Sequence, residues 1–113
     1  MRSITGRVIL PANTPAVTAE HVLIEVRDVS LADVPSTVVA EERLDEVILR
    51  PNGEIEFDLP VPDVAANRTL ALRVHVDIRG TGRVDSGDLL TTVHYPVPSS
   101  GASGPMEVRV AVV

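Results

Sequence analysis

Residues able to do chemistry are densest in one stretch, Asp77-Ile78-Arg79-Gly80-Thr81-Gly82-Arg83-Val84-Asp85-Ser86-Gly87-Asp88. Its oxygen-bearing side chains follow the spacing of a twelve-residue calcium loop, with Asp77, Gly82, Asp85 and Asp88 at positions 1, 6, 9 and 12. Thr81 offers a hydroxyl at position 5 and Arg83 a backbone carbonyl at position 7. Calcium takes about six to eight oxygens, however, and the third position is Arg79, a cation where a carboxylate or amide belongs. Asp88 is also shorter than the glutamate that closes such loops. Weak or absent calcium binding is expected, and the other reading of these residues is a glycine-rich hairpin connection whose aspartates accept hydrogen bonds from nearby backbone N–H groups.

Histidine offers a second constellation. If the loop closes a hairpin between residues 69–78 and 89–97, Arg73 lies near His94 and His75 near Thr92 on the outward face. His75 and His94 are then diagonal neighbours, with Asp77 further along. Two imidazoles and a carboxylate suit zinc, although exposed strand histidines are usually solvated. No G-x-S-x-G elbow occurs, and Ser99-Ser100-Gly101-Ala102-Ser103-Gly104 reads as a flexible loop. The carboxylate pairs Glu54 with Glu56 and Glu41 with Glu42 read as a wet strand face and a charged sheet edge that resists aggregation. No catalytic set and no phosphate or dinucleotide loop emerges, so the chain is expected not to be an enzyme.

Composition narrows the field further. The 113 residues carry a formal net charge of −6, which opposes binding to a polyanion. One phenylalanine, one tyrosine and no tryptophan leave no stacking platform for single-stranded nucleic acid. Cysteine is absent, excluding disulfides, thiolate metal sites and a lipid-bearing cysteine in the sequence as written. All ten cationic side chains are arginine, so lysine chemistry is excluded too. No membrane span and no signal-peptide-length apolar run is present. That predicts a cytoplasmic chain as written, or a periplasmic or envelope one if a leader was removed.

The elements that must position these residues are strands. Ile55, Phe57 and Leu59 alternate with Glu54, Glu56 and Asp58, which sets one face inward and one toward water. The same period places Val22, Ile24 and Val26 inward against Glu25 and Arg27. It sets Leu70, Leu72, Val74, Val76 and Ile78 against Arg73, His75 and Asp77. Val108, Val110 and Val112 and the stripe Ile4, Gly6, Val8 and Leu10 make the two ends of the chain candidate neighbours in one sheet. Residues 37–44 and 89–95 also read as strands, with facing left open by the adjacent Val38, Val39 and Ala40 and by Leu89 and Leu90. Turn signals lie at Pro11–Pro15, Ala32–Pro35, Pro51–Gly53, Pro60–Pro62, Gly80–Gly87 and Ser99–Pro105. The expected architecture is all-β: a single domain over 1–113, an antiparallel β-sandwich of seven or eight short strands.

The segment Val26-Arg27-Asp28-Val29-Ser30-Leu31-Ala32-Asp33-Val34-Pro35, continued by Thr37-Val38-Val39-Ala40-Glu41, resembles the V-x-L-x-D-V-S-L-A-D-A-P-A-x-V-I-A-E stretch of the YbaY-like lipoprotein family, which is grouped with YscW-type secretion pilotins. Ile55–Pro60 resembles that family's I-P-F-x-L-P strand, and Leu90–Val97 its L-F-T-T-D-T-x-Y-P-V strand. The resemblance implies a small β-sandwich, no catalytic residues, an envelope location and, among the pilotin relatives, help in assembling secretins. This sequence departs from the family in having neither the signal segment nor the acylated cysteine. Two functions follow as expectations. The first is a non-enzymatic accessory that binds a protein partner through a sheet edge or the 79–88 loop. The alternative is a calcium-binding module using Asp77, Thr81, Arg83, Asp85 and Asp88, with no other cofactor expected.

Overall fold

Apolar residues at every second position are hidden only by a sheet with a covered face. In the computed structural model, which describes residues 2–31, 34–102 and 104–113, they build eight strands. These are β1 (Arg2–Ile9), β2 (Thr18–Asp28), β3 (Thr37–Ile48), β4 (Glu54–Val61), β5 (Leu70–Asp77), β6 (Leu89–Thr91), β7 (Tyr95–Val97) and β8 (Met106–Val112). Strand β4 follows the rule throughout, with Ile55, Phe57, Leu59 and Val61 buried and their neighbours exposed. Of the expected turns, Ala32 and Asp33 in one and Ser103 in another lie outside the described residues.

The strand path runs β3-β2-β5-β6-β8-β1-β4, with β7 also beside β5. The all-β expectation holds, with one correction to the sandwich: the path is a single sheet curled nearly into a barrel, its ends being β3 and β4. Strand β8 is the reason. Its first half, Met106–Arg109, runs parallel to β1, while Val110–Val112 runs antiparallel to β6, so one strand belongs to both halves. This makes one parallel ladder in an otherwise antiparallel sheet, and it sets the two ends of the chain side by side as their valine stripes predict. At Gly6 the approach is so close that a Cβ would overlap the Met106 carbonyl oxygen.

Two irregularities explain the stretches whose facing the alternation left open. The β2–β3 ladder passes from Val26↔Ala40 to Arg27↔Val38, so Val39 is an extra residue and the alternation slips there. The segment expected as one strand over 89–95 is two. His75 pairs with Leu90 and Leu72 with Tyr95, so Thr91–His94 span a distance that Arg73 and Val74 span on β5. Side chains mend the break: Thr91 Oγ1 accepts the Val74 N–H at 3.3 Å, and the Tyr95 hydroxyl accepts the Arg109 N–H at 2.9 Å.

Ile4, Val8, Ile24, Leu59, Leu70, Val76, Leu89 and Val108 belong to one buried cluster that joins both halves of the sheet. Each fully buried aliphatic side chain contributes roughly 1.5–3 kcal/mol. Three outward positions depart from expectation: Glu25, His75 and Asp77 are buried. The loop that returns from beyond residue 78 covers His75 and Asp77, to which it is hydrogen-bonded. Glu25 lies between Arg27 Nη2 at 3.0 Å and Arg73 Nη1 at 3.1 Å, ion pairs that offset its loss of water.

Candidate functional site

The end of β5, the loop after it and the start of β6 bring His75, Asp77 and Asp88 together. One potential ligand atom of each lies within 4.8 Å of the others, and all three residues are buried. Asp77, the last residue of β5, turns its carboxylate under the loop: Oδ1 accepts the N–H groups of Gly80 (3.0 Å) and Thr81 (3.2 Å), and Oδ2 that of Gly82 (3.0 Å). Gly82 has φ 81°, the left-handed conformation that lets successive N–H groups converge on one anion. Asp88 closes the other end. Its Oδ1 accepts the Ile78 N–H at 3.2 Å, and its Oδ2 lies 3.0 Å from the Asp85 nitrogen and 2.9 Å from His75 Nε2.

These bonds assign charge and tautomer. Burial, the largest single influence on Asp88, disfavours its ionised form. Hydrogen bonds from the Asp85 N–H, His75 and the Ile78 N–H together outweigh that and hold its carboxyl below the ordinary 3.8. An ionised carboxylate only accepts, so His75 Nε2 carries the hydrogen between them.

Of the residues singled out in sequence, Asp77 and Asp88 meet, and Thr81 and Asp85 reach them through backbone N–H groups, but the side chains of Thr81, Arg83 and Asp85 do not join them. Thr81 Oγ1 lies 2.5 Å from Asp85 Oδ2 and 3.2 Å from the Arg83 carbonyl, forming a smaller exposed network at the loop tip. His94 is exposed in the β6–β7 break and is not part of the buried group, which corrects its expected pairing with His75. The two extra residues of that break shift His75 opposite Leu90 instead of Thr92. His75 is the member that sequence reasoning placed wrongly. Period two put it on a wet face, and the loop that buries it returns from beyond residue 78.

As it stands the arrangement is a clasp. Every carboxylate oxygen of Asp77 and Asp88 already accepts an N–H, so the loop is held without a cation, and a cation would compete with those donors for the carboxylates. Adding about 1 mM calcium to metal-stripped protein is therefore expected to leave the melting temperature unchanged, since only a ligand that favours the folded state shifts it. A calcium-specific rise would establish the cation-binding reading of the loop.

Acid should open the clasp. A carboxyl depressed in the folded state takes up protons more readily when unfolded, so its contribution is complete above the unfolded value and is lost as pH falls through the folded one. Asp28 shares this sign, lowered first by the Ser30 hydroxyl and then by the Ser30 N–H. Denaturant midpoints are expected to fall below about pH 4, and less steeply in Asp88→Asn, whose side chain does not titrate. Identical pH profiles for the two proteins would rule the clasp out as a source of acid sensitivity.

The chain is similar to a pilotin. That solved structure is an alternative pilotin from the type II secretion system of Vibrio cholerae, 26% identical, with 97% of this chain and 96% of that one covered and a TM-score of 0.68. No protein-family model and no curated protein matches the chain. Coverage of nearly both whole chains means that the similarity spans the fold from end to end and is not confined to one part of the sheet. Among the described residues no helix is long and apolar enough to cross a membrane.

A second feature of this pilotin-like chain lies where β2 passes toward β3. Asp28 Oδ1 accepts the Ser30 N–H at 3.0 Å and its hydroxyl at 2.5 Å, and Oδ2 meets Arg68 Nε at 2.7 Å. The Ser30 oxygen in turn accepts the Thr69 N–H at 2.8 Å. This network anchors the loop whose apolar residues Leu31 and Val34 stand in water, 65% and 52% exposed. With Asp28, Pro35, Thr37 and Arg68 they line a cleft of about 100 Å³.

Proposed function

We propose that this protein is a non-enzymatic accessory of a secretion system, a YbaY-like, pilotin-type domain that works by binding a protein partner. The observation that carries the reading is the end-to-end similarity to a type II secretion pilotin at 26% identity. Two features of the molecule support it. The polar residues that converge in the interior are tied to one another and to backbone N–H groups, an arrangement suited to holding a loop. The open sheet ends and the exposed apolar loop after β2 offer surface to another chain.

The partner in this reading is the secretin subunit of the cell's own secretion machinery, and the location is the envelope. Affinity capture of the tagged protein from its native cell, followed by immunodetection of the secretin, tests it. Co-purification together with fewer assembled secretin multimers in a deletion strain is the expected result. Unchanged assembly with no secretin in the eluate would refute it.

A further inference from the structure

We propose that the open edge of β3 takes up an extended, basic segment of the partner as an added strand, with one apolar side chain of that segment seated in the cleft beside Leu31 and Val34. This rests on the protein-binding reading above and specifies its surface.

Strand β3 is the longest of the eight and ends the strand path, so one side pairs with β2 while the other carries no ladder among the described residues. An unpaired edge presents alternate N–H and C=O groups, and added strands use them without special side-chain chemistry. The opposite end of the path, β4, is a poorer acceptor, being shorter and carrying Pro60, which has no N–H to donate. Glu54 on β4 is also engaged with Arg7 at 3.0 Å.

Charge selects the occupant. Glu41, Glu42, Asp45 and Glu46 accompany a single cation on β3, Arg43, and Arg43 Nε is already 3.0 Å from Asp45. Across the ladder, Glu41 faces Glu25, whose carboxylate is bound by two arginines, and Glu42 faces the apolar Ile24. Neither Glu41 nor Glu42 finds a cation on its own strand or directly opposite, so an incoming arginine or lysine supplies the missing charge. A second copy of this chain would set the same acidic edge against itself, and like charges directly opposite destabilise a pair. The cleft lies beside the start of β3 and over the end of β2, lined by Asp28, Leu31, Val34, Pro35, Thr37 and Arg68, with the Arg68 guanidinium already paired to Asp28, and the next residue of β3, Val38, is 44% exposed. An extended segment running along β3 thus meets an apolar anchor first and acidic groups after it.

The test uses the intact protein and two eight-residue peptides, one alternating arginine with valine and one alternating glutamate with valine. Amide exchange is followed by NMR at low and high salt. The arginine peptide at millimolar concentration is expected to slow exchange at alternate amides of Ala40–Asp45, beyond the Val39 bulge, about tenfold or more. That protection should weaken at high salt and vanish in Glu41→Lys/Glu42→Lys, while the glutamate peptide gives none. Equal protection by both peptides, none with either, protection confined to β4 or the 79–88 loop, or protection that rises with protein concentration alone would overturn the proposal. The double variant also separates this inference from the functional reading. If it still captures the secretin as well as the unaltered protein does, the edge is excluded while the accessory function stands. If the unaltered protein captures no secretin, the accessory function falls and the peptide result alone judges the edge.

Discussion

Replacing Asp88 with alanine is expected to destabilise the protein by about 4 kcal/mol, because three donors lose their acceptor together and each orphaned buried group costs about 1–3 kcal/mol. The three are His75 Nε2 at 2.9 Å, the Asp85 N–H at 3.0 Å and the Ile78 N–H at 3.2 Å. His75 is only 2% exposed, so water reaches it poorly once the carboxylate is gone. For a domain of this size the midpoint of thermal unfolding should drop by roughly 15 °C or more. Asp88→Asn preserves shape and one acceptor but turns an NH₂ group toward N–H donors, so it should recover only part of the loss. Equilibrium denaturation of both variants is the check. A loss under about 1 kcal/mol for Asp88→Ala would mean that the loop is held from elsewhere, for example by the Gly87 N–H to Val113 carbonyl bond at 2.7 Å.

Gly6→Ala should cost a similar amount, about 3 kcal/mol, for a steric reason. The new methyl group would overlap the Met106 carbonyl oxygen and stand 2.9 Å from the Met106 nitrogen and 3.0 Å from its carbonyl carbon. All three are backbone atoms, so no side-chain rotation relieves the clash and β8 must move away from β1. That movement strains the ladder Gly6–Ile9 with Met106–Arg109, the junction between the halves of the curled sheet. Exchange at amides 106–109 should rise ahead of global unfolding. Gly104→Ala, where a Cβ meets nothing within 4 Å, serves as the control and should fall within about 0.5 kcal/mol of the parent. Equal stability of the two variants would contradict the close approach of β1 and β8.

Both effects arise at places that local pattern does not reveal. Alternation over Glu54–Val61 sufficed to set β4 with Ile55, Phe57 and Leu59 inward, because a half-covered strand needs nothing beyond its own period. The stripes of Val22, Ile24 and Val26 and of Leu70, Leu72, Val74 and Val76 were legible for the same reason, as was the pairing of the chain's two ends. Where the period slipped, at Val38-Val39-Ala40, the ambiguity marked a real bulge.

The aspartates of the 77–88 loop were visible as a group, and the alternative of backbone-satisfying carboxylates was already contained in their proximity to glycine. His75 was not, because period two divides a strand into two faces without saying what later covers either one. Its burial requires the chain to leave β5, turn at glycines with positive φ and bring Asp88 back over the outer face, a contact between residues 13 apart. Glu25 was misplaced likewise, since its two arginine partners stand on its own strand and on β5. The curl of the sheet depends on β8 dividing its two edges between β1 and β6, a choice of neighbours nearly the whole chain length apart. Periodicity is a property of a few successive residues and survives without context. Partnership between distant residues depends on which chain segments arrive, and it emerges when the complete core packs.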